Sequence, residues 1–314
     1  MINWKTSFND ELAIVFSEAM TIVSAYPAPL GTQGLAYIDK FNPLLPGGTK
    51  NYICYLLPYW LKDITAVDDR MCRKLSLANV FIMLYFFIQD DLMDSPQTDW
   101  KEQLALGNLF YLAFLDIYQA EFPAGSPFWD YFRTYIIDWA SAVATEGRNA
   151  GILEPDLLEL AKKAAPVKLA STGALLHTGR DILVPAVSDY IDQVLITLQM
   201  VDDWADWEED LVHGSGNSLL AFIRSELNLP ADSPLSPAQV TDSIRLQGGL
   251  RRFADEAETR YKRLQSTLPG ASCLSAFHHS LSQELVQAAD RYERRKQSLL
   301  RGGFVNWLSE SINE

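Results

Sequence analysis

The sequence predicts an all-α protein, and three observations carry that prediction. Apolar residues recur at three- and four-residue spacing, as in Leu104, Leu109, Leu112 and Leu115 and again in Val194, Leu198, Val201 and Ala205. No two-residue alternation is long enough for a strand, and no Asn-Gly or Asp-Gly pair offers a hairpin turn. Proline and glycine punctuate the chain at intervals, so the stretches between them read as helices. With 314 residues, 48% hydrophobic and 21% charged, the composition is that of a folded globular protein rather than a disordered one.

In chain order the breaks fall at Pro27-Ala28-Pro29, Pro43 to Gly48, Ser95-Pro96, Pro123 to Pro127 and Gly147 to Pro155. They continue at Pro185, Gly214 to Gly216, Pro230 to Pro237, Pro269-Gly270 and Gly302-Gly303. Roughly ten helices result if each runs ~12–25 residues. The most apolar stretch, Leu75 to Ile88, is too short to span a bilayer and ends in Gln89-Asp90-Asp91. The Pro-rich stretch Asn228 to Gln239 reads as a long loop within one domain, residues 1–314, and not as a linker.

Charge and cysteine content narrow the function. Twenty-six basic against 40 acidic residues leave a net charge of −14, which argues against nucleic acid as a partner. An anionic substrate would need positive charge from elsewhere, and a bound divalent metal is the obvious supplier. Cys54, Cys72 and Cys273 are odd in number and unpaired by spacing, which fits a reducing compartment. The residues from Met1 to Thr6 lack the basic-then-apolar layout of a signal peptide, so a cytoplasmic protein without an integral membrane segment is expected. His177, His213, His278 and His279 have no metal spacing and read as surface or capping residues.

One five-residue acidic pattern occurs twice. Asp90-Asp91-Leu92-Met93-Asp94 and Asp202-Asp203-Trp204-Ala205-Asp206 stand 112 positions apart, each after an apolar run. With 24 Asp in the chain, one copy arises by accident in about one chain in seven and two in about one in a hundred. Each motif is expected at the C-terminal side of its helix, where the macrodipole disfavours negative charge and the carboxylates repel. A cation removes both costs. Residues i and i+4 lie ~6 Å apart along a helix, so Asp90 and Asp94 can share a metal cluster. Asp202, Asp206 and Asp210 form a similar line. Hard carboxylate oxygens without paired His or Cys select Mg²⁺ or Mn²⁺, which complete their shell with water and phosphate. Two such lines above an apolar cavity describe a diphosphate site with a greasy chain pointing inward. Phe81, Met83, Tyr85, Phe86 and Phe87 precede the first motif, and Trp204 lies inside the second. Their rings are suited to a hydrocarbon pocket and to a carbocation. Arg180, near Gly173 and Gly179, is a candidate diphosphate sensor at a helix break.

On these residues the chain resembles the class I isoprenoid synthases, the superfamily of trans-prenyltransferases and terpene cyclases. The resemblance runs in order from Pro46 to Arg295. Gly47-Gly48-Thr49-Lys50 looks like the Gly-Gly-Lys of the prenyltransferases, and Asp90 to Asp94 like their first Asp-rich motif. Ala105-Leu106-Gly107-Asn108 looks like their Gly-Asp-Ala-Leu helix. Lys168-Leu169-Ala170 is similar to the Lys-Thr segment that contacts diphosphate. Leu198-Gln199-Met200-Val201-Asp202-Asp203 is similar to Phe-Gln-x-x-Asp-Asp. The second motif also matches the cyclase metal pattern by spacing, with Asp206 and Asp210 at its Ser and Glu places. Arg291-Tyr292 fits the Arg-Tyr pair of bacterial cyclases, with Arg260-Tyr261 a rival.

The resemblance implies a single-domain helical bundle with a central active-site cavity. It implies three Mg²⁺ ions, with Mn²⁺ as a substitute, on Asp90, Asp91, Asp94, Asp202, Asp206 and Asp210, of which Asp90, Asp94 and Asp202 are catalytic. It implies diphosphate contacts from Lys50, Lys168, Arg180, Arg291 and Tyr292, and a pocket that includes Leu198 and Gln199. Three departures are informative. Lys50 is followed by Asn51-Tyr52-Ile53-Cys54, and no Arg pair follows Asp94, so a second diphosphate would meet little positive charge. The Lys found after the second motif in the family is also missing, with Gly214-Ser215-Gly216-Asn217 in its place. The expectation is a terpene synthase ionising one allylic prenyl diphosphate, C15 or C20, and compatible with a homodimer. The alternatives are a prenyltransferase, whether chain-elongating or using another acceptor, and a non-catalytic helical subunit.

Overall fold

The computed structural model describes residues 3–94, 99–145, 157–230, 233–265 and 267–311, with the side chains at 94, 157, 301 and 303–311 outside the description. The expected breaks at Ser95-Pro96 and Gly147 to Pro155 lie outside the described residues. Among the described residues there are fourteen α-helices and no strand. The first six are α1 (Asn9–Ser24), α2 (Leu30–Phe41), α3 (Tyr52–Trp60), α4 (Lys62–Thr65), α5 (Asp69–Asp94) and α6 (Trp100–Glu121). Then come α7 (Phe128–Thr145), α8 (Leu157–Lys162), α9 (Leu169–His177) and α10 (Val184–His213). The last four are α11 (Ser218–Glu226), α12 (Pro237–Arg245), α13 (Gly249–Leu264) and α14 (Ser272–Ser311). The excess over ten comes from short helices such as α4, α8 and α9, which periodicity over a long window does not separate.

The chain divides into two compact units. One comprises residues 1–138, 165–189 and 268–274, the other 139–164, 190–267 and 275–314. In the first unit α5 is the hub, packed by α1, α3, α6 and α9. Phe81, Leu84 and Ile88 are fully buried, as are Phe110, Phe114 and Tyr118 on α6. A buried side chain of this size contributes about 1.5–3 kcal/mol. Close approach of the helices depends on two glycines. A Cβ on Gly107 would meet Ile88 of α5 at 3.3 Å, and one on Gly173 of α9 would meet Phe122 at 3.0 Å and Leu75 at 3.1 Å. Asn79 is buried and joins three segments, donating to the Val167 carbonyl (3.0 Å) and accepting from the Tyr118 hydroxyl (3.2 Å). Arg73 forks onto Glu11 of α1 at 2.7 and 2.9 Å and holds that carboxyl below its usual range.

On α6, Leu104 and Leu112 are exposed, because the aromatic face 110, 114 and 118 is the one turned towards α5. Two expectations from the sequence are corrected here. Gly302-Gly303 does not break α14, which runs on to Ser311. α5 reaches beyond Leu75 to Ile88 at both ends and is long and apolar enough to cross a bilayer. However, 72% of its most apolar window is buried inside the protein, so those side chains already have apolar partners.

In the second unit α13 packs on α11 and α12. The chain enters α12 through a capping box of Ser236 and Gln239, with Pro237 in the first turn. Residues of α10 and α14 meet through the Trp204–Tyr292 ring pair (5.9 Å) and through His278, whose Nε2 lies 2.8 Å from the Thr197 hydroxyl. His278 is thus a fully buried core residue and neither a surface nor a capping one. Burial, then Arg260 and His279, lower its pKa to about 4.

Candidate active site

The first motif closes α5. Asp90 and Asp91 are exposed, and the Asp94 side chain lies outside the described residues. Tyr37 of α2 donates its hydroxyl to Asp91 Oδ2 at 3.3 Å. Burial first, and then the charge of Asp91, keep that phenol protonated far above neutral pH. One turn and more before the motif, Tyr85 and Phe86 are half-buried and lie edge to face at 4.9 Å. Tyr85 also contacts Tyr111 (5.4 Å) and Phe114 (5.9 Å) of α6, and Phe87 contacts Phe41 (5.0 Å). Phe81 and Met83 are buried, Phe81 against Phe110 at 5.9 Å.

The second motif sits further from its helix end than the sequence suggests, because α10 continues through Asp210 to His213. The macrodipole argument therefore weakens for Asp202, and local crowding takes its place. Asp202 and Asp206 are exposed and Asp210 half-exposed, as the four-residue spacing requires. The Asp202 carboxyl is pushed up to about 6, first by the protein around it and then by Asp203, Asp206 and Glu284. Since water reaches Asp202, the like charges are the part of that shift a bound cation would reverse. Glu284, on α14, carries no sequence motif. Its only mark is a seven-residue offset from Arg291, two helical turns on one face.

Asp203 does different work. It is only 3% exposed and accepts from Gln199 Nε2 (2.8 Å) and from the Ser218 N–H (2.7 Å). Its carboxylate thereby holds the N-terminus of α11, where negative charge is favoured. Gln199, expected in the pocket, is partly buried and points its amide at Asp203, four residues on. Leu198 and Trp204 are partly buried.

The basic candidates separate by surroundings. Lys50 is exposed just before α3. Lys168 is 5% exposed, and its ammonium lies 4.7 Å from the Tyr135 ring centroid. Arg180 donates to the Ile64 carbonyl at the end of α4, a structural role that competes with sensing. Arg291 is exposed, and Tyr292 beside it meets Trp204 inside the second motif. The rival pair is remote from the motif along α10, with Arg260 donating to Gln193 Oε1 at 3.1 Å.

Among the described residues, no three His, Cys, Asp or Glu side chains converge as a ready metal cage. Mg²⁺ asks for less, since it binds through one or two carboxylates and keeps water and phosphate in its shell. A line of wetted carboxylates, in which like charges help push Asp202 up, fits a hard divalent cation by donor type and by charge.

No protein-family model and no curated protein matches the chain. Solved structures do. A geranylgeranyl pyrophosphate synthase from Lactobacillus brevis matches at 15% identity and TM-score 0.66, covering 90% of this chain and 97% of that one. A decaprenyl diphosphate synthase from Rhodobacter capsulatus matches at 16% and 0.66, covering 93% and 98%. A polyprenyl synthase from Caulobacter crescentus, complexed with calcium and isoprenyl diphosphate, matches at 14% and 0.66, covering 89% and 95%. The chain has the isoprenoid synthase fold.

Proposed function

We propose that this chain is a metal-dependent enzyme that ionises an allylic prenyl diphosphate. The observation that carries the reading is the second motif, a row of wetted carboxylates in which Asp202 is pushed up to about 6 while Asp203 is consumed in holding α11. Asp202, Asp206 and Asp210 hold a divalent cation there, and Asp90, Asp91 and Asp94 hold others. Bound cations of this kind neutralise a diphosphate leaving group and so favour heterolysis of the allylic C–O bond. The −14 chain supplies little cationic charge of its own, so metal is needed for an anionic substrate. Half-buried rings such as Tyr85 and Phe86 offer faces to the hydrocarbon and to its cation.

The fate of the allylic cation has two readings. The three similar structures are named for prenyl diphosphate or polyprenyl synthesis, which favours prenyl transfer to an acceptor. The lack of basic residues after Lys50 favours internal cyclisation, with the cation losing a proton or taking up water. The deciding experiment incubates purified protein with Mg²⁺ and each of the C10, C15, C20 and C25 diphosphates, with and without isopentenyl diphosphate. Longer diphosphates formed only with isopentenyl diphosphate establish transfer, and hydrocarbon or alcohol formed without it establishes cyclisation. No turnover of any substrate overturns the proposal.

A further inference from the structure

α10 ends at His213 and the chain reverses at Gly214 (φ +73°), where the N–H groups of Gly214 and Ser215 close on the Asp210 carbonyl at 2.8 and 3.0 Å. The reversal returns Asn217 to the motif. Asn217 is 8% exposed, and each side of its amide is used. Its Oδ1 accepts from the Leu220 N–H at 3.0 Å and caps α11. Its Nδ2 donates to the Asp203 main-chain oxygen at 2.8 Å and to Asp210 Oδ2 at 2.7 Å. A helix cap needs only the acceptor, which Ser, Thr or Asp would supply equally well. The donor half is surplus to capping, and it goes to the motif.

We propose that Asn217 is a positioning residue for the metal-binding carboxylate of Asp210. The inference rests on the function proposed above. The amide occupies one oxygen of Asp210 and fixes the carboxylate's rotation, so that the other oxygen is presented singly to a cation. Asn217 offers the carboxylate a neutral donor, so its effect passes through Asp210 to the metal.

The test measures Mn²⁺ binding by electron paramagnetic resonance on the full chain with inorganic diphosphate present. Wild type, Asn217→Ser, Asp210→Ala and the double variant are compared. Ser keeps the cap and loses the donor, so Asn217→Ser should bind Mn²⁺ about tenfold more weakly with unchanged helical circular dichroism. The double variant should bind no worse than Asp210→Ala alone. Should Asn217→Ser fold poorly, Asn217→Gly, another tolerated cap, is expected to show the same weakening. Wild-type affinity in a folded Asn217 variant reduces the residue to a cap and overturns the inference. A further loss on top of Asp210→Ala overturns it too. No Mn²⁺ uptake by the wild type overturns the metal reading of the second motif and this inference with it. That result is distinct from uptake which Asn217 leaves unchanged.

Discussion

The two acidic motifs share one five-residue pattern and differ in what surrounds it. The first occupies the last turn of α5, with exposed carboxylates and one phenol, Tyr37, donating to Asp91. The second lies inside α10 with helix continuing beyond it, and the chain returns from Gly214 to brace Asp203 and Asp210. In both, the second carboxylate of the pair is engaged by the protein. The engagement is surface contact at Asp91 and buried anchoring at Asp203. Pattern alone locates the carboxylates. Their neighbours decide how each is tied into the fold.

The largest expected effect tests what the motifs share. Asp90→Ala and Asp202→Ala should each lower turnover of the accepted prenyl diphosphate by about 10²–10³-fold while helical circular dichroism is kept. Full activity of either variant, or of wild type in EDTA, breaks the assignment of that motif to metal.

Stability should separate the motifs. Asp203→Ala strands the Ser218 N–H and removes a charge-assisted hydrogen bond at a 3% exposed site, so it should cost about 2–4 kcal/mol in urea unfolding. Asp91→Ala removes one 3.3 Å contact at the surface and should cost about 1 kcal/mol or less. Equal losses would mean that the bracing of the second motif contributes nothing special. On the first motif's side, Tyr37→Phe keeps the ring contacts with Phe41 (5.0 Å) and Phe110 (6.3 Å) and removes only the hydroxyl. It too should cost about 1 kcal/mol or less by the same measurement.

These differences mark where the sequence could be read. The helical class was legible from the apolar spacing, whereas the break expected at Ser95-Pro96 lies outside the described residues. Gln199 and Asp203 are one helical turn apart, so their contact follows from spacing alone. The anchor at Ser218 does not, because it lies 15 positions on, beyond a reversal that only the positive φ at Gly214 makes. Glu284 is 82 positions from Asp202, and nothing local links them. The core face of α6 is not legible in the sequence, because Leu104 and Leu112 carry the same apolar signal as Phe110 and Phe114, and only packing on α5 through Gly107 decides between them.

The smallest effect concerns pH, and it sharpens the comparison from the electrostatic side. Asp202 titrates in the folded, metal-free protein near 6, against 3.8 for an ordinary Asp. A carboxyl whose pKa is higher folded than unfolded binds its proton more tightly in the folded state. Its contribution to stability is therefore greatest when protonated, below about 3.8, and is lost as pH rises through about 6. Metal-free protein should thus carry an Asp202 component that falls between pH 4 and 7, and Asp202→Asn should flatten it. Above pH 7 the same substitution should leave the metal-free protein slightly more stable than wild type, since it removes one of the charges crowded with Asp206 and Glu284. Mg²⁺ with diphosphate should reverse that order, because the ion favours the ionised carboxylate that Asn cannot provide. Melting temperatures of the two proteins from pH 4 to 8, with and without Mg²⁺ and diphosphate, read all of this directly. Identical slopes for wild type and Asp202→Asn would show that the crowding at the second motif is relieved without a cation.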